Sequence, residues 1–78
     1  MGKKLYFKSN EVAVAVSFVL YKRAKLSRML KWTEDYLHRY QLNLIVEHRE
    51  FLIGIINYLT KEIKDCDTSL ELMKELDS

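Results

Sequence analysis

The chain has 78 residues, a single cysteine, two glycines, no proline and a net charge of +2. One cysteine excludes an internal disulfide framework and favours a reducing, cytoplasmic compartment. Few turn-forming residues exclude an all-β fold and favour helices. A chain of this length forms one domain and buries only about 60% of its unfolded surface. We therefore expect self-association, as a homodimer, to complete the fold.

Residues 1–9 are predicted to form an N-terminal arm, in which Leu5 to Phe7 is either a short strand or an extended segment. A helix is predicted to follow, over residues 10–41. Ser9 or Asn10 can cap its first turn, and Glu11 is favourable beside the positive end of the helix dipole.

Val12 to Tyr21 is a run of ten apolar or small residues. A bilayer-spanning helix needs about 20 such residues, so no membrane segment is predicted. A secretory signal is disfavoured because Glu11 precedes the run and Lys22-Arg23 occupies the place of a small cleavage site. The valine–alanine alternation is typical of a strand, but a longer 4-3 spacing favours a helix with one apolar seam. That seam comprises Val12, Val16, Val19, Arg23, Leu26, Leu30, Thr33, Leu37, Tyr40 and Leu44.

A second helix is predicted over residues 44–65. Its apolar stripe is expected to contain His48, Phe51, Ile55, Tyr58 or Leu59, and Ile63, broadened by Leu52 and Ile56. The turn before this helix is placed at Gln41-Leu42-Asn43, where Asn43 can act as the N-cap. A rival break lies at Lys31-Trp32-Thr33, so the first helix is either continuous or broken near residues 31–33.

A third break is predicted at Asp65-Cys66-Asp67, where the apolar stripe stops. Thr68-Ser69-Leu70-Glu71 then matches a capping box for a short helix over residues 69–76. The predicted fold is all-α: a helical hairpin plus a short C-terminal helix, dimerising into a helical bundle.

Charge divides the chain into a basic and an acidic part. Residues 1–32 hold eight basic residues and one acidic residue, or +7, whereas residues 33–78 hold five and ten, or −5. One interpretation is that the two helices attract each other, within a chain or across a dimer. The other is that a basic surface meets an acidic partner or nucleic acid.

The predicted partner-binding residues belong to the first helix. Arg28, Trp32, Tyr36 and Tyr40 recur every four residues, and Lys22, Lys25, Arg28 and Lys31 recur every three. Arg, Trp and Tyr dominate interface hot spots and can also stack on nucleic-acid bases, although aromatic residues can equally fill a bundle core. The predicted set is Lys22, Lys25, Arg28, Lys31, Trp32, Tyr36, Arg39 and Tyr40.

No catalytic, metal or cofactor site is expected. Asp35 and His38 lie three residues apart, but this pair occurs only once, and di-iron bundles need two such pairs with further carboxylates. Cys66 stands between two aspartates, whose charge disfavours a thiolate nucleophile. His48 is expected to be a partly buried, neutral side chain, and the chain is predicted not to be an enzyme.

The leading functional hypothesis is a small intracellular protein–protein interaction module: a regulator, adaptor or inhibitor of the size that phages and mobile elements encode. It would dock its basic, aromatic helix face on an acidic or apolar protein surface. The alternative is a nonspecific nucleic-acid-binding protein that uses the basic N-terminal part. A third hypothesis is a purely structural oligomer, in which the charge division only sets helix pairing.

Overall fold

The computed structural model describes the backbone of residues 10–77 and the side chains of residues 10–75; the predicted arm, with Leu5 to Phe7, lies outside this range. The described part consists of two helices joined by a turn over residues 41–45, and it contains no strand. Helix α1 spans Asn10–Tyr40 and helix α2 spans Val46–Asp77. The two helices pack along each other as a hairpin, which confirms the all-α class and the hairpin.

The seam predicted for α1 is the side that packs on α2. From Val12 to Leu37 every predicted seam residue is buried or half-buried, with Val16 the most deeply buried, whereas Tyr40 is exposed. The uninterrupted 4-3 spacing predicted this because residues three and four apart stack on one helix face.

The apolar stripe predicted for α2 is partly wrong. Phe51 is exposed, and of the two alternatives Tyr58 and Leu59 it is Leu59 that is buried. The side facing α1 contains Leu52, Ile56, Leu59, Ile63, Cys66, Leu70 and Met73. Two apolar stripes lie next to each other on this helix, and the prediction combined residues from both. Cys66 is buried and continues the 4-3 spacing, because a free cysteine packs as a small apolar side chain.

No separate C-terminal helix forms, since α2 continues through residues 65–69 without a break. The predicted capping role of this segment is not realised: the Thr68 hydroxyl donates a hydrogen bond to the Lys64 carbonyl, four residues earlier in the same helix. A hydroxyl satisfied in this way no longer competes with the helical backbone. The rival break at residues 31–33 is also wrong, because Thr33 donates in the same manner to the Met29 carbonyl.

The chain reverses at Gln41 to Asn43, as predicted. The Asn43 amide donates a hydrogen bond to the Tyr40 carbonyl, which closes the turn. Asn43 does not cap α2, because the first backbone bond of that helix runs from the Arg49 amide to the Ile45 carbonyl. Helix α2 therefore starts two residues later than predicted, with Ile45 in the cap position.

Two helices make a molecule that is one layer thick, measuring 52 × 24 × 13 Å. Its radius of gyration is 16.6 Å, against about 12 Å for a compact domain of this length. Among the described side chains, only Val16, Leu52, Leu59 and Cys66 are classed as buried. One side of each helix is therefore shielded by its neighbour, and the remaining sides face solvent.

Candidate protein-binding face

Helix α1 carries a second apolar stripe, separate from the seam. Its members follow a 4-3-4-4-3-4 spacing, and all of them are exposed. We call this the outer stripe: Val14, Phe18, Tyr21, Lys25, Met29, Trp32 and Tyr36. Phe18 and Trp32 are 69% and 66% exposed, respectively. A stripe of aromatic side chains that are this strongly exposed to solvent indicates a surface suited to binding another molecule.

Two contacts between the helices show which side of the hairpin this stripe approaches. Lys22 Nζ lies 3.8 Å from Glu62 Oε1, and the rings of Tyr36 and His48 have centroids 6.3 Å apart. Lys22, Tyr36 and Glu62 immediately precede seam residues, and His48 precedes the half-buried Arg49, which continues the spacing of the α2 seam. In an antiparallel pair of right-handed helices, the residues that precede seam positions lie on the same side of the pair, because each step along a helix turns about 100°.

We call this side the docking face. From α1 it includes Phe18, Lys22, Lys25, Met29, Trp32, Tyr36 and Arg39, and from α2 it includes His48, Phe51, Ile55, Tyr58, Glu62, Asp65, Ser69 and Leu72. Phe51, Tyr58 and Leu72 are each more than half exposed. The docking face therefore carries aromatic and aliphatic side chains from both helices.

The opposite side of the hairpin, made by the residues that follow seam positions, is mostly polar or small. It holds Ser17, Ala24, Ser27 and Lys31 on α1, and Asn57, Thr60, Lys64 and Asp67 on α2. Between residues 17 and 71, its large exposed apolar residues are Leu20 on α1 and Val46 and Ile53 on α2. A depression of about 300 Å³ lies near the turn and includes Leu37, Val46 and Ile53. The hairpin is therefore amphipathic, and the docking face is its apolar side.

A groove of about 260 Å³ opens on the α1 half of the docking face. It is lined by Phe18, Tyr21, Lys22, Lys25, Leu26 and Met29. The ammonium group of Lys25 lies 5.8 Å from the centroid of the Tyr21 ring, within the range of a cation–π contact. A groove with apolar walls and lysines along one edge can bind an apolar side chain that lies next to an acidic one on the partner.

Ion pairs join the basic helix to the acidic one. The Arg23 guanidinium donates hydrogen bonds to Asp67, at 2.5 Å from Nε to Oδ1 and 3.4 Å from Nη2 to Oδ2. These bonds raise the pKa of Arg23 above its ordinary value, so the seam arginine stays charged. Together with the Lys22–Glu62 pair, they fix how far α1 and α2 are shifted along each other.

The structure separates the predicted partner-binding residues into groups. Lys22, Lys25, Trp32, Tyr36 and Arg39 belong to the docking face. Lys31 follows a seam residue and lies on the opposite side, and Arg28 points to the back of α1, away from α2. Tyr40 lies at the end of the seam, with its ring 5.1 Å from that of Tyr36. Steps of four residues advance by 40° each, so the row from Arg28 to Tyr40 does not form one face.

Sequence reasoning missed Phe18, Tyr21 and Met29 on α1 and Leu72 on α2. It assigned Phe51 to the apolar stripe of α2, and left Tyr58 and Leu59 as alternatives for one position of that stripe. The signal for these residues was present in the sequence. From Val14 to Tyr36, one series of positions spaced by three or four residues is apolar or aromatic throughout, apart from Lys25. A search for apolar stripes at both helical spacings would have found a second one beside the seam.

Other kinds of site receive no support from the described residues. No group of three or more His, Cys, Asp or Glu side chains in that part of the chain is arranged to hold a metal ion. Neither α1 nor α2 has a segment with the length and hydrophobicity needed to span a bilayer. His48, predicted to be partly buried, is exposed and lies against Tyr36.

Comparisons of this chain with protein-family models, with curated proteins and with solved structures find no match. The docking face is therefore the feature of this protein from which a function can be inferred.

Proposed function

We propose that this protein is a small protein–protein interaction module that binds through its docking face. The observation that supports this most strongly is the exposure of Trp32 at 66%, between Met29 and Tyr36 on a helix that already buries a different side. Tryptophan contributes more to interfaces than most residues because it buries a large area with few rotatable bonds.

The chemistry of the α1 half specifies the kind of partner. Lys22 and Lys25 flank an aromatic surface, so the complementary surface carries apolar side chains for the groove and carboxylates for the two ammonium groups. Regulators, adaptors and small inhibitors act in this manner, by covering a surface of another protein. The predicted dimerisation into a helical bundle belongs to the same proposal, because a single layer of helices leaves the docking face uncovered.

The test is capture of binding proteins by the immobilised full chain, comparing the native chain with two variants. Trp32→Ala removes an exposed tryptophan side chain from the docking face. Leu20→Ala removes an exposed apolar side chain from the opposite side of the same helix. We expect the captured proteins to be lost with Trp32→Ala and retained with Leu20→Ala. Equal capture by the native chain and Trp32→Ala would contradict a role for this face.

A second candidate function, nonspecific nucleic-acid binding, is favoured by one observation. Arg28 and Lys31 are exposed, lie outside the docking face and form no ion pair with another described residue. Fluorescence anisotropy with labelled duplex and single-stranded DNA and RNA at two salt concentrations tests this candidate. Binding that weakens steeply with salt, and that Arg28→Ala with Lys31→Ala abolishes, would support it. Absence of binding at low salt would exclude it.

A further inference from the structure

We infer that the partner of the docking face is a second copy of this chain, arranged so that α1 of one copy lies over α2 of the other. This inference rests on the proposed function, because it names the occupant of the same face. It also specifies how the two copies are related by symmetry in the resulting four-helix bundle.

The α2 half of the docking face has the chemistry that the α1 half requires in a partner. The α1 half combines aromatic residues with Lys22 and Lys25, and the α2 half combines Phe51 and Tyr58 with Glu62 and Asp65. A surface that is basic and aromatic along one edge, and acidic and aromatic along the other, is complementary to itself. A two-fold axis that places unlike edges together therefore satisfies both halves at once.

The net charges of the two helices favour one direction of the two-fold axis. Over their full lengths, α1 has six basic and three acidic residues, a net charge of +3, and α2 has four and eight, a net charge of −4. An axis perpendicular to the helices would place α1 over α1 and like charges together. An axis parallel to the helices places α1 over α2 of the partner, antiparallel to it, so that basic and acidic helices alternate around the bundle.

The axis parallel to the helices also determines which residues of the two copies face each other. Lys22 and Glu62 lie at one level of the hairpin, as their 3.8 Å contact shows. An axis parallel to the helices preserves this level, so it places Lys22 of one copy over Glu62 of the other. Lys22 and Glu62 of the two copies then form a ring of four charges of alternating sign near the middle of the interface. Because α1 and α2 are antiparallel, Lys25 and Asp65 lie about one helical turn from this ring in opposite directions.

The docking face also has the area that a stable dimer needs. The 52 × 24 Å side of the hairpin offers up to roughly 1,200 Å² to a second copy, against about 800 Å² per partner in a standard-size protein interface. Aromatic and aliphatic residues lie on both sides of the charged centre, with Phe18 towards one end and Met29, Trp32 and Phe51 towards the turn. The face is therefore large and apolar enough for a stable dimer.

The first experiment is sedimentation equilibrium of the full chain from 1 to 200 μM. We expect twice the 9.3 kDa chain mass. Trp32→Ala and Phe51→Ala should each weaken self-association at least tenfold, because each change occurs twice per dimer. Leu20→Ala on the opposite side should leave it unchanged within twofold. Circular dichroism of each variant verifies the helices, which these exposed residues do not hold together.

The second experiment tests the orientation by exchanging charges. Lys22→Glu with Lys25→Glu makes the α1 half acidic, and should weaken self-association at least tenfold because a carboxylate at position 22 then faces Glu62 of the partner, with a second carboxylate one turn away. Adding Glu62→Lys and Asp65→Lys in the same chain reverses both halves and should restore association to near the native level. If α1 instead lay over α1, the first variant would only replace one like-charge contact with another and would not weaken the dimer.

The outcomes separate this inference from the proposed function. A monomer at every concentration, or a dimer that loses affinity with Leu20→Ala but not with Trp32→Ala, overturns the second-copy inference. Capture of another protein that depends on Trp32 would then leave the proposed function standing. A chain that neither self-associates nor captures a protein through Trp32 contradicts both.

Discussion

Replacing Leu59 with alanine is the most direct test of which side of α2 holds the hairpin together. Leu59 is 2% exposed and its neighbour Tyr58 is 61% exposed, so the two adjacent positions separate the seam from the docking face. The prediction is that Leu59→Ala removes most of the stability of the folded chain, whereas Tyr58→Ala removes little of it at low protein concentration.

The magnitude follows from burial. Burying a leucine side chain contributes about 1.5–3 kcal/mol relative to leaving it in water. Leucine-to-alanine changes in buried positions cost about 2–5 kcal/mol, because a cavity also remains. In a layer only two helices wide the neighbouring side chains can move into the space, so the lower half of this range applies, about 2–3 kcal/mol. A core of this size supplies a total of about 3–5 kcal/mol.

The assay is urea unfolding followed by circular dichroism, at 2 μM and 100 μM protein. We expect Leu59→Ala to lower the free energy of unfolding at both concentrations. Tyr58→Ala should lower it mainly at 100 μM, because Tyr58 belongs to the face that a second copy covers. A cost below about 1 kcal/mol for Leu59→Ala, or equal costs for the two variants at 2 μM, would refute this assignment of the seam.

Two further predictions concern single residues of α2. Gly54 lies within the helix with open space around the position of a side chain, so Gly54→Ala should raise the free energy of unfolding by about 0.5–1 kcal/mol, measured by the same urea titration; a destabilised variant would contradict a continuous helix at this position. Cys66 is buried in the seam, so its thiol should react with a disulfide reagent only when the hairpin opens. The reaction rate should then rise with urea in parallel with unfolding, and fast reaction in the native state would contradict its burial.

The first helix and its seam could be predicted because two local signals agree. Every seam position from Val12 to Leu37 keeps the 4-3 spacing, and Glu11 suits the helix start. The seam of α2 could be predicted only in part, because apolar residues occupy two adjacent stripes. Phe51 and Leu52 are neighbours in the sequence and point to different sides of the helix. Only the position of α1 decides which stripe is buried.

The break predicted near Cys66 shows a different limit. Aspartate, threonine and serine in succession suggest a helix end, because their side chains can bond to the backbone of a turn. Here Thr68 bonds to the carbonyl of Lys64 within the helix, and Cys66 occupies an apolar seam position. Contact with α1 along this segment, including the Arg23–Asp67 bonds, outweighs the local preference of these residues.

The seam and the outer stripe of α1 have different spacings, and this difference decides which exposed residues belong to the docking face. The seam repeats every 3.5 residues on average, whereas the outer stripe from Val14 to Tyr36 averages about 3.7, so the stripe winds round the helix relative to the seam. It begins far from α2 and ends at Tyr36, whose ring lies 6.3 Å from that of His48. The α1 half of the docking face keeps the seam's own average of 3.5 residues, from Phe18 to Arg39. A 3.5-residue repeat follows the left-handed inclination of about 20° that helices adopt in four-helix bundles. The docking face, rather than the whole outer stripe, therefore has the inclination that a bundle neighbour requires, and α2 of a second copy matches it in charge as well.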